Sequence, residues 1–164
     1  MAKTEELTKF YEDLSQEIIN KATIDETEDF RENIFTQIYI DYLCEAAEIE
    51  DGNVCFHEGR GVKVNGYSIA EDESNIVLFV SIYKNSQKLF TVAPSDALAM
   101  INRAKQFYLK SLKNYQTDIE EAYGAFDLAR SIYEYKGKIP EVRIILMTNG
   151  TIKSTILETE EVDG

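Results

Sequence analysis

The period of the apolar positions changes several times along the chain, and each change marks an element. From Glu5 to about Lys21 they fall at Leu7, Phe10, Tyr11, Leu14, Ile18 and Ile19, the spacing of a one-sided amphipathic helix on the outside of a core. An acidic linker from Asp25 to Asp29 carries carboxylates suited to a helix N-terminus, and a second helix is predicted from about Phe30 to Ala47. Its apolar residues, Phe30, Ile34, Phe35, Ile38, Tyr39, Tyr42, Leu43 and Ala46, cover more than half the circumference, so it should lie between a sheet and another layer. Asp51-Gly52 then predicts a turn, Val54 to His57 a short strand and Gly59-Arg-Gly61 a loop. A hairpin follows: one strand from Lys63 to Ile69, an acidic turn from Glu71 to Asn75, and an almost uninterrupted apolar strand from Ile76 to Tyr83.

Beyond a polar loop, Lys84 to Lys88, the stretch Leu89 to Val92 reads as a short strand, and Pro94-Ser95-Asp96 as a helix start with Ser95 as cap. That helix should run from Asp96 to about Tyr115, with Ala97, Ile101, Ala104, Tyr108, Leu112 and Tyr115 on one face. Thr117 and Glu120 have the spacing of a capping box for a further helix to about Tyr135, with Gly124 a weak point inside it and Gly137 its stop. After Pro140, a second apolar run covers Val142 to Met147, Thr148-Asn-Gly150 makes a turn, and Thr151 to Leu157 a return strand. Both apolar runs predict interior strands of one mixed sheet, since only a sheet covered on both faces uses consecutive apolar positions. The class predicted is α/β, a mixed central sheet flanked by helices, with no internal repeat.

A length of 164 residues suits one domain that buries its own core. The 30 acidic against 17 basic residues give a net charge of −13, which disfavours tight, sequence-independent nucleic-acid binding. A local strip of Arg60, Lys63, Arg103, Lys110 and Lys113 is the candidate phosphate-contacting surface, although lysines opposite an apolar face are usually its wet side. No apolar run approaches the roughly 18 residues needed to cross a bilayer and the N-terminus lacks a signal core, so a cytoplasmic protein is expected. Cys44 and Cys55 then read as small buried apolar residues, and with one histidine they cannot make a standard structural zinc site. Asn149-Gly-Thr151 is a turn and not a glycosylation site. His57 beside Glu58 could act as a general base, but next to Phe56 it reads better as a strand residue satisfied by hydrogen bonds. No nucleophile elbow, phosphate loop or dinucleotide fingerprint accompanies it.

Val64-Asn-Gly-Tyr67 followed by Leu78-Phe-Val-Ser-Ile-Tyr83 resembles the second and third strands of the PD-(D/E)XK nuclease core. The element order, apart from an extra N-terminal helix, is likewise the αβββαβ order of restriction-endonuclease-like domains. In that family an Asp-Gly pair and a Glu/Gln-x-Lys triplet converge on a divalent metal. The matching positions here are Asn65, Val80 and Ile82, which offer one neutral carbonyl and two hydrocarbon side chains. Displaced carboxylates could restore the site: Glu32 on the second helix, Glu58 at the end of a strand, or Glu71 in the acidic turn. Against that, turn and helix acids on a −13 surface are mostly solvated charges. No cofactor is expected, and Mg²⁺ only if the carboxylates have moved.

A longer resemblance is carried by Phe30-Arg-Glu-Asn33, by Gly59-Arg-Gly61 with Lys63-Val-Asn-Gly-Tyr67, by Leu78-Phe-Val-Ser81 and Ala129-Arg130, and by Arg143-Ile-Ile-Leu-Met-Thr-Asn-Gly150. Together these are similar to the N-terminal region of abortive-infection phage-resistance proteins, over most of residues 28 to 157. The resemblance implies part of a longer protein that protects bacteria by shutting down infected cells. The expected organisation is a helix packed on the core at 1–24, a nuclease-like domain at 25–157, and a tail at 158–164 truncated from the longer chain. Two functions follow from different classes. One is a catalytically inactive domain for recognition or assembly, partnered by the remainder of the defence protein; the other is a metal nuclease using displaced carboxylates. Phage or host nucleic acid is a partner disfavoured by the net charge, no membrane is expected, and aromatic residues on the first helix could serve a homo-oligomer. An unrelated small-molecule enzyme has no residue in its favour. The two main readings separate on whether two carboxylates converge near Asn65.

Overall fold

In a computed structural model, residues 2–21, 28–86, 88–121 and 123–152 are described. Two helices, α1 (Ala2–Lys21) and α2 (Glu28–Glu45), precede three strands, β1 (Asn53–Gly59), β2 (Val62–Ile69) and β3 (Asn75–Ile82). A two-residue strand β4 (Thr91–Val92), helices α3 (Pro94–Ser111) and α4 (Gly124–Glu134), and strands β5 (Glu141–Thr148) and β6 (Thr151–Ile152) complete the order. The main sheet runs β1-β2-β3-β5, antiparallel through β1, β2 and β3 and parallel between β3 and β5. It is a mixed sheet flanked by helices, as the alternation of patterns predicts. The parallel step follows from the helical segment between β3 and β5, since parallel neighbours need a crossover.

Two cores lie on opposite faces. On one, Val62, Val64, Ile76 and Leu78 pack with Phe107, Leu128, Ala129 and Ile132 of α3 and α4. On the other, Val77, Phe79 and Met147 pack with Phe35, Ile38 and Ile40 of α2 and with Leu14 and Ile18 of α1. Helix α2 is sandwiched between sheet and α1, which explains its apolar residues on nearly every side. Among the described side chains of α1, Tyr11, Leu14 and Ile18 form the buried stripe; Leu7, Phe10 and Ile19 are 42–46% exposed.

Several sequence expectations are corrected. Strand β5 is an edge strand among the described residues, paired with β3 alone and mostly half-buried, so of the two apolar runs only β3 is interior. Thr151–Ile152 does not return along β5 but pairs in parallel with β4 in a separate two-stranded sheet; residues 153–157, and the tail at 158–164, lie outside the described residues. So do residues 25–27 of the acidic linker, and Asp29 falls inside α2. Helix α3 starts at Pro94 with Ala93 as its cap residue, because a proline in the first turn has no N–H needing Ser95. It ends at Ser111 and not Tyr115: Asn114 takes the left-handed conformation (φ 68°), which asparagine tolerates, and a 3₁₀ turn follows at Tyr115–Asp118. The Thr117 hydroxyl therefore donates back to the Asn114 carbonyl at 3.0 Å and caps nothing downstream. Gly124 is the first residue of α4 and not a weak point within it, while Gly137 (φ 77°) is the expected stop. Cys55 is buried, but Cys44 is only half-buried.

Candidate functional site

Strand β2 changes its facing partway along. Val62 and Val64 point into the α3/α4 core, yet so do Tyr67 and Ile69, an odd step that strict alternation forbids. Asn65 and Gly66 therefore both face α2. The β2–β3 ladder ends at Gly66–Phe79, and the register of β1 against β2 shifts between Val54 and His57 at the same level. Val54 to His57 advances three residues while Gly66 to Val64 spans two, so β1 carries the extra residue of a β-bulge opposite Asn65, a device that re-aims side chains. Gly66 is required by the close packing: a Cβ there would come within 2.7 Å of the Asn53 carbonyl oxygen.

Where the ladder stops, side chains take over its bonds. The Asn65 Oδ1 accepts the Ser81 backbone N–H at 2.8 Å, and the Lys63 Nζ donates to the Ser81 carbonyl at 3.0 Å. Both side chains also reach α2: Asn65 Nδ2 donates to Glu32 Oε2 at 2.7 Å, and Lys63 Nζ stands 3.1 Å from the same oxygen. The Lys63 and Glu32 side chains are only 7% and 12% exposed. Behind them the hydroxyls of Thr36 and Ser81 lie 2.8 Å apart, and Thr36 donates to the Glu32 carbonyl at 2.9 Å. The result is a buried polar centre, joined to helix and two strands, in which an ammonium and an amide N–H converge on one carboxylate oxygen.

The residues singled out from the sequence distribute unevenly around this centre. Asn65 and Glu32 meet, as does Lys63, which is buried in an ion pair and so cannot contribute to a surface strip. Ser81 faces α2 through Thr36, so alternation puts its neighbours Val80 and Ile82 on the α3 face, opposite Asn65. Glu58 lies 3.4 Å from Arg103, whose other nitrogen donates to the carbonyls of Gly59 and Val62 at 3.2 and 3.1 Å. Arg103 thus staples the β1–β2 loop. Lys110 donates to the Arg60 carbonyl at 3.3 Å and sits over the Tyr115 ring, while Arg60 and Lys113 are exposed. Glu71 belongs to the β2–β3 turn, its backbone N–H bonded to Glu50. His57 Nε2 lies 3.0 Å from the Tyr115 hydroxyl, satisfied as expected, and burial lowers its pKa. Thr36 and Ser81 were not singled out. Their signal was a polar residue inside an apolar run, which a buried strand or helix carries only with a partner.

The fold is that of an α/β domain with a mixed, helix-flanked sheet, and it carries a buried Glu–Lys–Asn centre on the α2 side. The chain matches the model of the abortive infection phage resistance protein N-terminal domain over residues 35–164 and belongs to that family. No curated protein and no solved structure matches it.

Proposed function

We propose that this domain is a nuclease-like scaffold without metal-dependent chemistry that serves recognition or assembly inside a cytoplasmic phage-defence protein, its partner being the remainder of that protein. The observation that supports this is the pairing of Lys63 with Glu32. An ammonium already neutralises the carboxylate nearest Asn65, and Glu58 and Glu71 are held elsewhere. One paired carboxylate and one amide do not fit Mg²⁺, which demands hard oxygen ligands and dehydrates reluctantly. A second reading, an active nuclease with displaced ligands, draws on the same convergence of a carboxylate, a lysine and an amide.

Calorimetry with Mn²⁺ at moderate ionic strength, beside cleavage assays on plasmid and RNA, tests the two. The expected result is no saturable isotherm and no cleavage; diffuse association with the acidic surface should fade with added salt. A stoichiometric isotherm abolished in Glu32→Ala and Asn65→Ala, with cleavage lost in parallel, would replace the first reading by the second.

A further inference from the structure

A cavity of about 460 Å³ opens between α1, the first turn of α2 and the chain leaving β3. Tyr11, Glu12, Ser15, Gln16 and Ile19 line it from α1, Arg31 from α2, and Tyr83 to Ser86 from the strand end. Two cations against one carboxylate make it locally positive in a chain of net charge −13. The Arg31 Nε is buried and has no hydrogen-bond partner among the described residues. A buried, unmatched N–H on a charged group is costly, and a guanidinium fork is best satisfied by a carboxylate or phosphate. The backbone of Lys84 is fixed, since Asn149 accepts its N–H at 3.1 Å and donates to its carbonyl at 2.8 Å, while its Nζ rests 5.1 Å from the centre of the Phe90 ring and must swing from there to meet a ligand. Opposite, the Tyr11 hydroxyl donates to the Ser86 carbonyl at 2.5 Å and ties α1 to the same loop.

We propose that this cavity binds a small phosphorylated molecule of nucleotide size, with Arg31 and Lys84 on the phosphoryl oxygens and Ser15, Gln16 and Asn85 available to its polar body. The volume falls within the roughly 300–1,000 Å³ typical of small-molecule sites and far exceeds one phosphate ion. The inference does not depend on whether the Glu32–Lys63 centre is inert, since neither residue lines the cavity.

The test is calorimetry of the full 164-residue chain with AMP, ATP and adenosine as probes, with thermal unfolding as a second readout. AMP or ATP should bind one to one and raise the melting temperature, and adenosine should bind at least tenfold more weakly. Lys84→Ala, at an exposed side chain, and Arg31→Ala should each weaken nucleotide binding tenfold or more, while Lys138→Ala, at an exposed site after α4, should not. If Arg31→Ala does not fold, Lys84→Ala carries the test. Absence of saturable binding, equal binding of adenosine, or binding unaffected by Lys84→Ala would overturn the proposal.

Discussion

On the α3/α4 side of the sheet, Val62, Val64, Ile76 and Leu78 meet Phe107, Leu128 and Ile132, and no buried ion pair is found there among the described residues. On the α1/α2 side, Phe79 and Phe35 are buried just as deeply, but beside them lie Glu32, Lys63, Asn65, Ser81 and Thr36. The first face needs only volume and shape. The second must also repay the desolvation of two charges, which it does by closing each donor onto an acceptor around a bulge. A purely structural layer has no need of such a centre, because hydrophobic residues of the same volume usually serve stability as well or better. The contrast is therefore the physical reason to look for function on the α2 side.

The largest effect expected is on the apolar face. Val80 is fully buried and alternates onto the α3 side, so Val80→Glu would bury a carboxylate among hydrocarbon and should cost more than about 4 kcal/mol. Urea unfolding measures it. A variant of near wild-type stability would mean that water reaches this side of β3 and that the two faces are less different than their residues imply.

On the polar face the prediction has two parts. Glu32→Ala leaves the Lys63 ammonium without its counter-charge and should destabilise the fold by about 3 kcal/mol, near the low end for a buried pair because Glu32 retains some exposure. Replacing both together, Glu32→Leu with Lys63→Met, should come within about 1 kcal/mol of wild type by the same measurement. That near-neutrality would sharpen the comparison, since it would separate the centre's presence from any requirement of stability. A double variant as unstable as Glu32→Ala would instead make the pair a structural necessity.

How much of this was legible depends on which face a residue serves. The β2–β3 hairpin and the wrapped α2 follow from the pattern, because burial on two sides leaves no polar position to mislead. The edge placement of β5 does not follow: Val142, Ile144 and Leu146 are as apolar as β3, yet half-exposed along an unpaired side. The end of α3 was missed because its helical spacing continues past the turn at Asn114. At the polar centre, Asn65 and Glu32 were both named from the sequence, but nothing local tied them together across 33 positions. Lys63 was read as a surface cation because a lysine usually is one, although its setting between Val62 and Val64 in a buried strand already argued otherwise. The matching of Val80 and Ile82 rested on the motif spacing of the resembling nuclease core, which does not say that on β3 it is Ser81, and not its two neighbours, that shares a face with Asn65.

The smallest effect expected returns to the apolar face, where His57 is a titratable group set among Phe107 and Tyr115, with Glu58 and Arg103 at the rim. Burial lowers its pKa from the ordinary 6.5 because the charged ring is poorly solvated there. In the unfolded chain the imidazole is free to protonate, so below about pH 6.5 the unfolded state binds more protons than the folded one. The stability associated with the neutral ring is therefore complete above that pH and is lost as pH falls toward and through the lowered folded value. Melting temperatures at pH 7.5 and 5.5 should fall more for wild type than for His57→Gln, which keeps a side chain able to bond Tyr115 but cannot titrate. Equal falls in the two proteins would assign the acid sensitivity to other groups and would leave the α3/α4 face electrostatically silent.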